Sequence, residues 1–200
     1  MLLVICWDET WVSKYESAWP IFEKIKCANA FDNSAFFKAF GIERVARLQF
    51  ITQNQKHRCP LYLYGIDKAK FKQFTNIDLQ VNIDLVERLS SLLNNPIHWK
   101  ELGKTTGFKS HFSYCQECMS RNYHSILTQF LLIHECPFHQ INLVEKCPEC
   151  KDYISYSLMS NSGYVCRCGY RICESIDSPP WQLWGEEKII KDRVVSYWAG

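Results

Sequence analysis

The sequence predicts a mainly α protein with a small β component. It reads as a helical amino-terminal domain of helix-turn-helix type, two small ligand-clamped modules and a carboxy-terminal helix. Three observations predict this. Apolar residues recur at helical spacing in several short segments over roughly the first hundred positions. Four close pairs of cysteine and histidine then fall between residues 115 and 168. Around those pairs the texture changes to short, β-prone pieces.

Residues 1–7, rich in Leu, Val and Ile, read as a short strand or buried arm. Residues 15–30 read as a helix. Trp19, Phe22, Ile25 and Ala28 share one face, and Pro20 is tolerated in the first turn. Asn33 is the expected cap of a second helix that runs to Phe40 and stops at Gly41. A third is expected over 42–54, with Val45, Leu48 and Ile51 on one face. Trp19, Phe22, Phe36, Phe37 and Phe40 read as core. Residues 59–65 are aromatic and β-prone, 67–74 a short helix, and 83–93 the clearest amphipathic helix, ended by Asn94-Asn95-Pro96. The spacer 121–134 is long enough for a helix of about three turns, with Ile126, Phe130 and Ile133 on its apolar face. Residues 153–156 and 164–165 read as strands of a zinc-ribbon type, turning at Asn161-Ser162-Gly163. Ser178-Pro179-Pro180 is a linker before a final helix over 186–198, with Ile189, Ile190, Val194 and Trp198 inward. The expected domains are 1–104, 105–175 and 176–200.

The paired residues carry the chemistry. Cys115 and Cys118 form CxxC. Cys136 and His139 form CxxH after 17 intervening residues, Cys147 and Cys150 form CPEC after seven more, and Cys166 and Cys168 form CRCG after a further fifteen. Each pair can chelate one edge of a metal from a tight turn, and fours of thiolate and imidazole are what Zn²⁺ takes in closed structural sites. Sequential pairing puts Cys115, Cys118, Cys136 and His139 on one zinc, and Cys147, Cys150, Cys166 and Cys168 on a second. A cross-braced arrangement is the alternative. His134 competes with His139, though the Cys-Pro-Phe-His turn favours His139, and Cys173 is a substitute ligand of low rank. Cys6, Cys27 and Cys59 stand apart and read as ordinary buried thiols. Disulfides are not expected, because no signal segment precedes the acidic pair Asp8-Glu9.

A chain that is 47% hydrophobic has ample core, and no apolar run reaches the length of a membrane span. The expectation is a soluble, cytoplasmic protein. Seven ligand thiolates and two Zn²⁺ take the formal charge from +2 to about −1, a poor balance for gripping DNA by bulk electrostatics. Basic residues do cluster, at Arg44, Arg47, Lys56, His57 and Arg58 and at Lys68, Lys70 and Lys72. Most such clusters are solvated helix faces. Arg44, Arg47, Lys56 and Arg58 are the candidate nucleic-acid or partner contacts.

The zinc region resembles the TniQ family of transposition proteins, which includes the target-selecting TnsD proteins. The family pattern CxxC, spacer, CPxHxxxL, CPxC and CxCG is carried here by Cys115, Cys118, Cys136, Pro137, His139, Leu143, Cys147, Pro148, Cys150, Cys166, Cys168 and Gly169. Glu16, Ser17, Trp19 and Asn29 look like the family's amino-terminal start. The chain departs from the pattern at Gln116, where the family usually has Pro, and at Phe130, where a Trp is common. The resemblance implies a non-catalytic adaptor. Such proteins link a target-recognition device, which is DNA or an RNA-guided CRISPR complex, to the AAA+ ATPase that recruits the transposase. A homodimer is left open, and no membrane partner is implied.

Other classes fit less well. A RING-type surface keeps its middle pairs two or three residues apart, whereas seven residues separate His139 from Cys147. An autonomous zinc-containing, sequence-specific DNA-binding regulator would place the helices of 15–54 in the major groove and would normally be more basic. An enzyme is not expected. Four protein ligands per zinc leave no open position, and there is no Gly-rich phosphate loop.

Overall fold

The computed structural model describes residues 4–48, 55–93, 107–158, 164–173 and 189–200. These are mostly helical, with little strand. Eight α-helices follow in chain order among them: α1 Ala18–Ala28, α2 Asn33–Phe40, α3 Glu43–Leu48, α4 Gln55–Arg58, α5 Lys68–Thr75, α6 Gln80–Leu93, α7 Gln116–Met119 and α8 Arg193–Ala199. Extended backbone among the described residues is joined by isolated antiparallel bridges, such as Glu16 with Ser125 and Tyr114 with Val144. No helix among them is long and apolar enough to cross a membrane.

Local chemistry sets the helix ends. Asp32, one residue before the expected Asn33, caps α2 by accepting a hydrogen bond from the Ala35 N–H. Asp67 does the same for α5 through the Lys70 N–H. Asn76, in the left-handed conformation at φ 57°, ends α5. At Gly41 a Cβ would lie 2.5 Å from the Phe37 carbonyl oxygen and 2.9 Å from Val45 Cγ1, so the turn between α2 and α3 admits no side chain. Pro20 sits in the first turn of α1, where it costs little.

Several expectations are corrected. Residues 4–7 form no strand, and Val4 is exposed. Cys6 and Cys27 are exposed rather than buried, and Cys59 is half-buried. Residues 59–65 form turns, with Leu63 at φ 56°, where a strand was expected. The spacer 121–134 holds only a 3-10 turn, Ile126–Gln129. Tyr153, Ser155 and Val165 bridge to Lys146, His111 and Arg171, not to one another as a ribbon hairpin. The last helix begins at Arg193, and it is Val195 and Ala199 that it buries, while Ile189 and Val194 point to solvent. The expected helical stretch 49–54, the turn 161–163 and the linker 178–180 lie outside the described residues.

The core has two apolar clusters. One packs Phe22, Phe36, Phe40 and Phe71 from α1, α2 and α5, with Phe22 and Phe36 ring centroids 4.9 Å apart. The other spans Trp19, Leu85, Val86 and Leu89 of the amino half, most of the cysteine-rich region, and Val195 and Ala199. Apolar contact therefore runs straight across position 104. Trp19 is central to it, its ring lying 5.0 Å from Phe112, 5.6 Å from Tyr156 and 5.3 Å from Tyr164.

A polar joint reinforces this seam. The Ser17 N–H donates to the His124 carbonyl at 2.8 Å, and the Ile126 N–H donates to the Tyr15 carbonyl at 3.0 Å. The buried His124 ring is held at both nitrogens. Nε2–H donates to the Ser113 carbonyl at 3.0 Å, so Nδ1 is the acceptor for the Ser17 hydroxyl at 2.8 Å. Burial holds the His124 pKa down at about 3. The sign follows directly. The unfolded chain binds this proton near pH 6.5 and the folded chain only near 3, so folding is fully favoured above pH 6.5 and weakens as pH falls between the two. His124→Gln is expected to lose about 2–4 kcal/mol at pH 7.5 through the broken joint. That deficit should shrink by up to about 1.4 kcal/mol per pH unit below 6.5. Urea unfolding of both proteins at pH 7.5 and 5.5 reads it out, and a deficit independent of pH would contradict a neutral His124.

Candidate metal centres

The eight paired residues fall into two groups of four. Cys115, Cys118, Cys136 and His139 form one, and Cys147, Cys150, Cys166 and Cys168 the other, each group with its ligand atoms within 4.8 Å of one another. The grouping is sequential, not cross-braced. His134 is exposed and Cys173 buried, and both lie outside the groups.

Tight turns make each group possible. Cys115 is the N-cap residue of α7, which carries Cys118. The Gln140 N–H returns to the Cys136 carbonyl at 2.8 Å, closing the turn that presents Cys136 and His139. The Lys151 N–H returns to the Cys147 carbonyl at 3.0 Å, and the Gly169 N–H to the Cys166 carbonyl at 2.9 Å. The closing residue is left-handed each time: Gln140 at φ 57°, Lys151 at 60° and Gly169 at 92°. Asn122, four residues after Cys118, is left-handed as well at 52°. Only Gly169 adopts this conformation without strain.

The distances fit a tetrahedral ion. Zn–S bonds of about 2.3 Å and Zn–N bonds of about 2.0 Å at tetrahedral angles require S···S near about 3.8 Å and S···N near about 3.5 Å. In the first group His139 Nδ1 lies 3.4, 3.3 and 3.5 Å from the sulfurs of Cys115, Cys118 and Cys136, and Cys118 lies 3.7 Å from Cys136. In the second, Cys147 lies 3.6 Å from Cys168, and Cys150 lies 3.6 Å from Cys166. Both groups are compatible with zinc, and Nδ1 is the histidine atom aimed at the first. The spacing of the motif did not indicate which ring nitrogen would serve.

Electrostatics point the same way. Three thiolates packed so closely repel one another. Hydrogen bonding with the Cys115 and Cys136 sulfurs, with burial added, pushes the Cys118 thiol far above its ordinary range. Hydrogen bonding with the Cys115 and Cys118 sulfurs draws the Cys136 thiol well below its ordinary range. A dication in the centre removes this conflict.

The groups differ in setting. Cys115, Cys118 and Cys136 are buried in the main apolar cluster, beside Phe138, whose ring lies 5.8 Å from Tyr123 and 6.5 Å from Tyr15. In the second group Cys147 and Cys166 are buried, Cys150 is half-buried and Cys168 is exposed. Between the groups lies a buried lysine that sequence reading did not single out. Lys109 Nζ donates to the Ile133 carbonyl at 2.8 Å and the Ser113 hydroxyl at 3.0 Å, and pairs with Glu145 at 2.8 Å. Glu145 also faces His111 Nε2 at 3.3 Å. Ile133 precedes Cys136 by three residues and Glu145 precedes Cys147 by two, so this cation ties the two ligand-bearing segments together.

The candidate contact residues lie elsewhere. Arg44 and Arg47 are exposed on α3, where Arg47 pairs with Glu43. Arg58 is half-buried on α4, which also carries Lys56. Both helices abut Gly65: its carbonyl accepts from the Ile42 N–H at 3.1 Å, and a Cβ there would lie 2.7 Å from the His57 carbonyl oxygen.

No known family model matches the chain, and no curated protein is significantly similar to it. Fold and site together define a mostly helical protein carrying two Cys/His groups fit for zinc.

Proposed function

We propose that the chain binds two zinc ions and acts as a non-catalytic, TniQ-like adaptor in DNA transposition. It would link a target-recognition complex, DNA itself or an RNA-guided CRISPR effector, to the AAA+ ATPase that recruits the transposase. One observation carries the reading. The residues of the CxxC, CPxH, CPxC and CxCG pattern gather in sequence order into two four-ligand groups, while the Glu16 backbone, bridged to Ser125, and the Ser17 and Trp19 side chains of the amino-terminal pattern bind the helical half to that region. Four protein ligands in each group favour a structural over a catalytic role for the metal. We read α2, Gly41 and α3 as a helix-turn-helix-like pair, with Arg44 and Arg47 on the second helix.

The near-neutral charge of the metal-loaded chain supports bridging more than independent DNA binding. Retention of an AAA+ transposition ATPase is expected in a pull-down with zinc-loaded protein. A gel shift at physiological salt should show only weak, steeply salt-dependent DNA binding. Tight, sequence-specific DNA binding without ATPase retention would instead select the autonomous regulator.

A further inference from the structure

We propose that the four-cysteine group is a peroxide-sensitive zinc switch, and that the Cys115, Cys118, Cys136 and His139 group is not. The inference rests on the two-zinc reading and adds a regulatory property to one of its sites.

The groups differ in ligand chemistry and in access. The second is all sulfur, so its four thiolates and Zn²⁺ carry a net charge of about −2, and every ligand is oxidisable. Cys168 is exposed and Cys150 half-buried. Beside Cys168, the position a Cβ would take on Gly169 has no atom of a described residue within 4 Å. Cys147 and Cys166 are buried, so Cys168 and Cys150 are the points at which an oxidant enters. The first group offers no such path to its sulfurs. Cys115, Cys118 and Cys136 are 1%, 2% and 1% exposed, and its only partly exposed ligand is His139, which peroxide does not attack as readily.

The sulfur spacing also confines the products to this group. Cys147 lies 3.6 Å from Cys168 and Cys150 lies 3.6 Å from Cys166, and all four sulfurs lie within 4.8 Å of one another, so every ligand has a resolving thiolate beside it. Cys168 thiolate attacks one oxygen of hydrogen peroxide. The O–O bond breaks, leaving Cys168 as a sulfenic acid and releasing hydroxide, which is protonated to water. A neighbouring thiolate, such as Cys147 at 3.6 Å, then attacks that sulfenic sulfur, forming the S–S bond and expelling a second hydroxide, again protonated to water. Two electrons have passed from the sulfur pair to one peroxide. A second peroxide oxidises the remaining two thiolates in the same way. With its four thiolates consumed, the Zn²⁺ leaves. Closing each pair from 3.6 Å to a bond of about 2.05 Å is a small movement, so the loops stay tethered and thiol reductant with zinc can restore the site.

The test uses the full chain with its zinc measured beforehand, since fewer than two zinc ions at the start would indict the metal reading rather than this one. Hydrogen peroxide is added in steps, released metal is followed with a chromogenic chelator, and the oxidised chain is mapped by mass spectrometry without reduction. One equivalent of zinc should leave, with two disulfides confined to Cys147, Cys150, Cys166 and Cys168, and dithiothreitol plus zinc should return it. The Cys147→Ser chain, keeping only the first zinc, should release none under the same dose. Release of both ions in one phase, release of none, or disulfides among Cys115, Cys118 and Cys136 would overturn the proposal.

Discussion

A Cys136→Ser chain is expected to hold one zinc ion where the wild type holds two, and to lose its cooperative fold. Structural zinc in small modules carries apparent binding free energies of about 10–16 kcal/mol, which matches or exceeds the roughly 5–15 kcal/mol of a whole domain. Cys136 is 1% exposed, and its turn carries Phe138, which packs on Tyr15 and Tyr123. The Tyr123 hydroxyl in turn donates to the Lys14 carbonyl at 2.8 Å. Releasing that turn therefore opens the core as far as the amino-terminal segment. Cys147→Ser should also reduce the zinc content to one, yet keep a cooperative transition, because the second group sits at the edge of the same cluster with Cys168 in solvent. Elemental analysis and denaturant unfolding of the three proteins check this. A wild type with one zinc or none would sink the two-site reading, and loss of both ions from Cys147→Ser would contradict independent sites.

The sequence made the ligands legible because their chemistry is local: a CxxC or CxxH turn fixes its own geometry, and four sulfur or nitrogen atoms need no distant information to be recognised. The capped helix α5 and the amphipathic helix α6 were readable for the same reason. The spacer 121–134 was not. Ile126, Phe130 and Ile133 fit a helical period, but the backbone there is claimed by distant partners. The Ile126 N–H bonds Tyr15, the Gln129 carbonyl bonds the Lys109 N–H, and the Leu131 N–H bonds Gly107. The residues between the apolar ones, His124, Ser125, Thr128 and Gln129, are buried and polar, a state periodicity alone reads as a solvent face. The final helix misled in a similar way, since any of several faces of 189–198 is apolar enough and only packing against α6 selects Val195 and Ala199.

The amino-terminal Glu-Ser pair shows how a motif residue can be structural first. Glu16 and Lys24 form an ion pair at 2.6 Å whose side chains are 0% and 1% exposed. Lys24 Nζ also donates to the Trp11 carbonyl at 2.7 Å, and Glu16 Oε2 accepts from the Ser13 N–H at 2.9 Å. Desolvating two charges offsets most of their attraction, so the pair adds little net stability, but removing one member strands the other in the interior. Lys24→Met is therefore expected to cost about 3–5 kcal/mol. The double variant Glu16→Gln with Lys24→Met should recover at least about 2 kcal/mol of that loss, because no buried charge remains and the amide oxygen that replaces the carboxylate still accepts from the Ser13 N–H. Urea unfolding of the two single variants and the double gives the coupling. Additivity within about 0.5 kcal/mol would mean that the two charges do not meet in the folded chain. If the coupling is found, Glu16 positions the start of α1 against the zinc region, and Glu16→Gln should lower stability while leaving ATPase retention, measured at equal folded fraction, unchanged. A fall in retention without a fall in stability would place Glu16 on the partner surface instead.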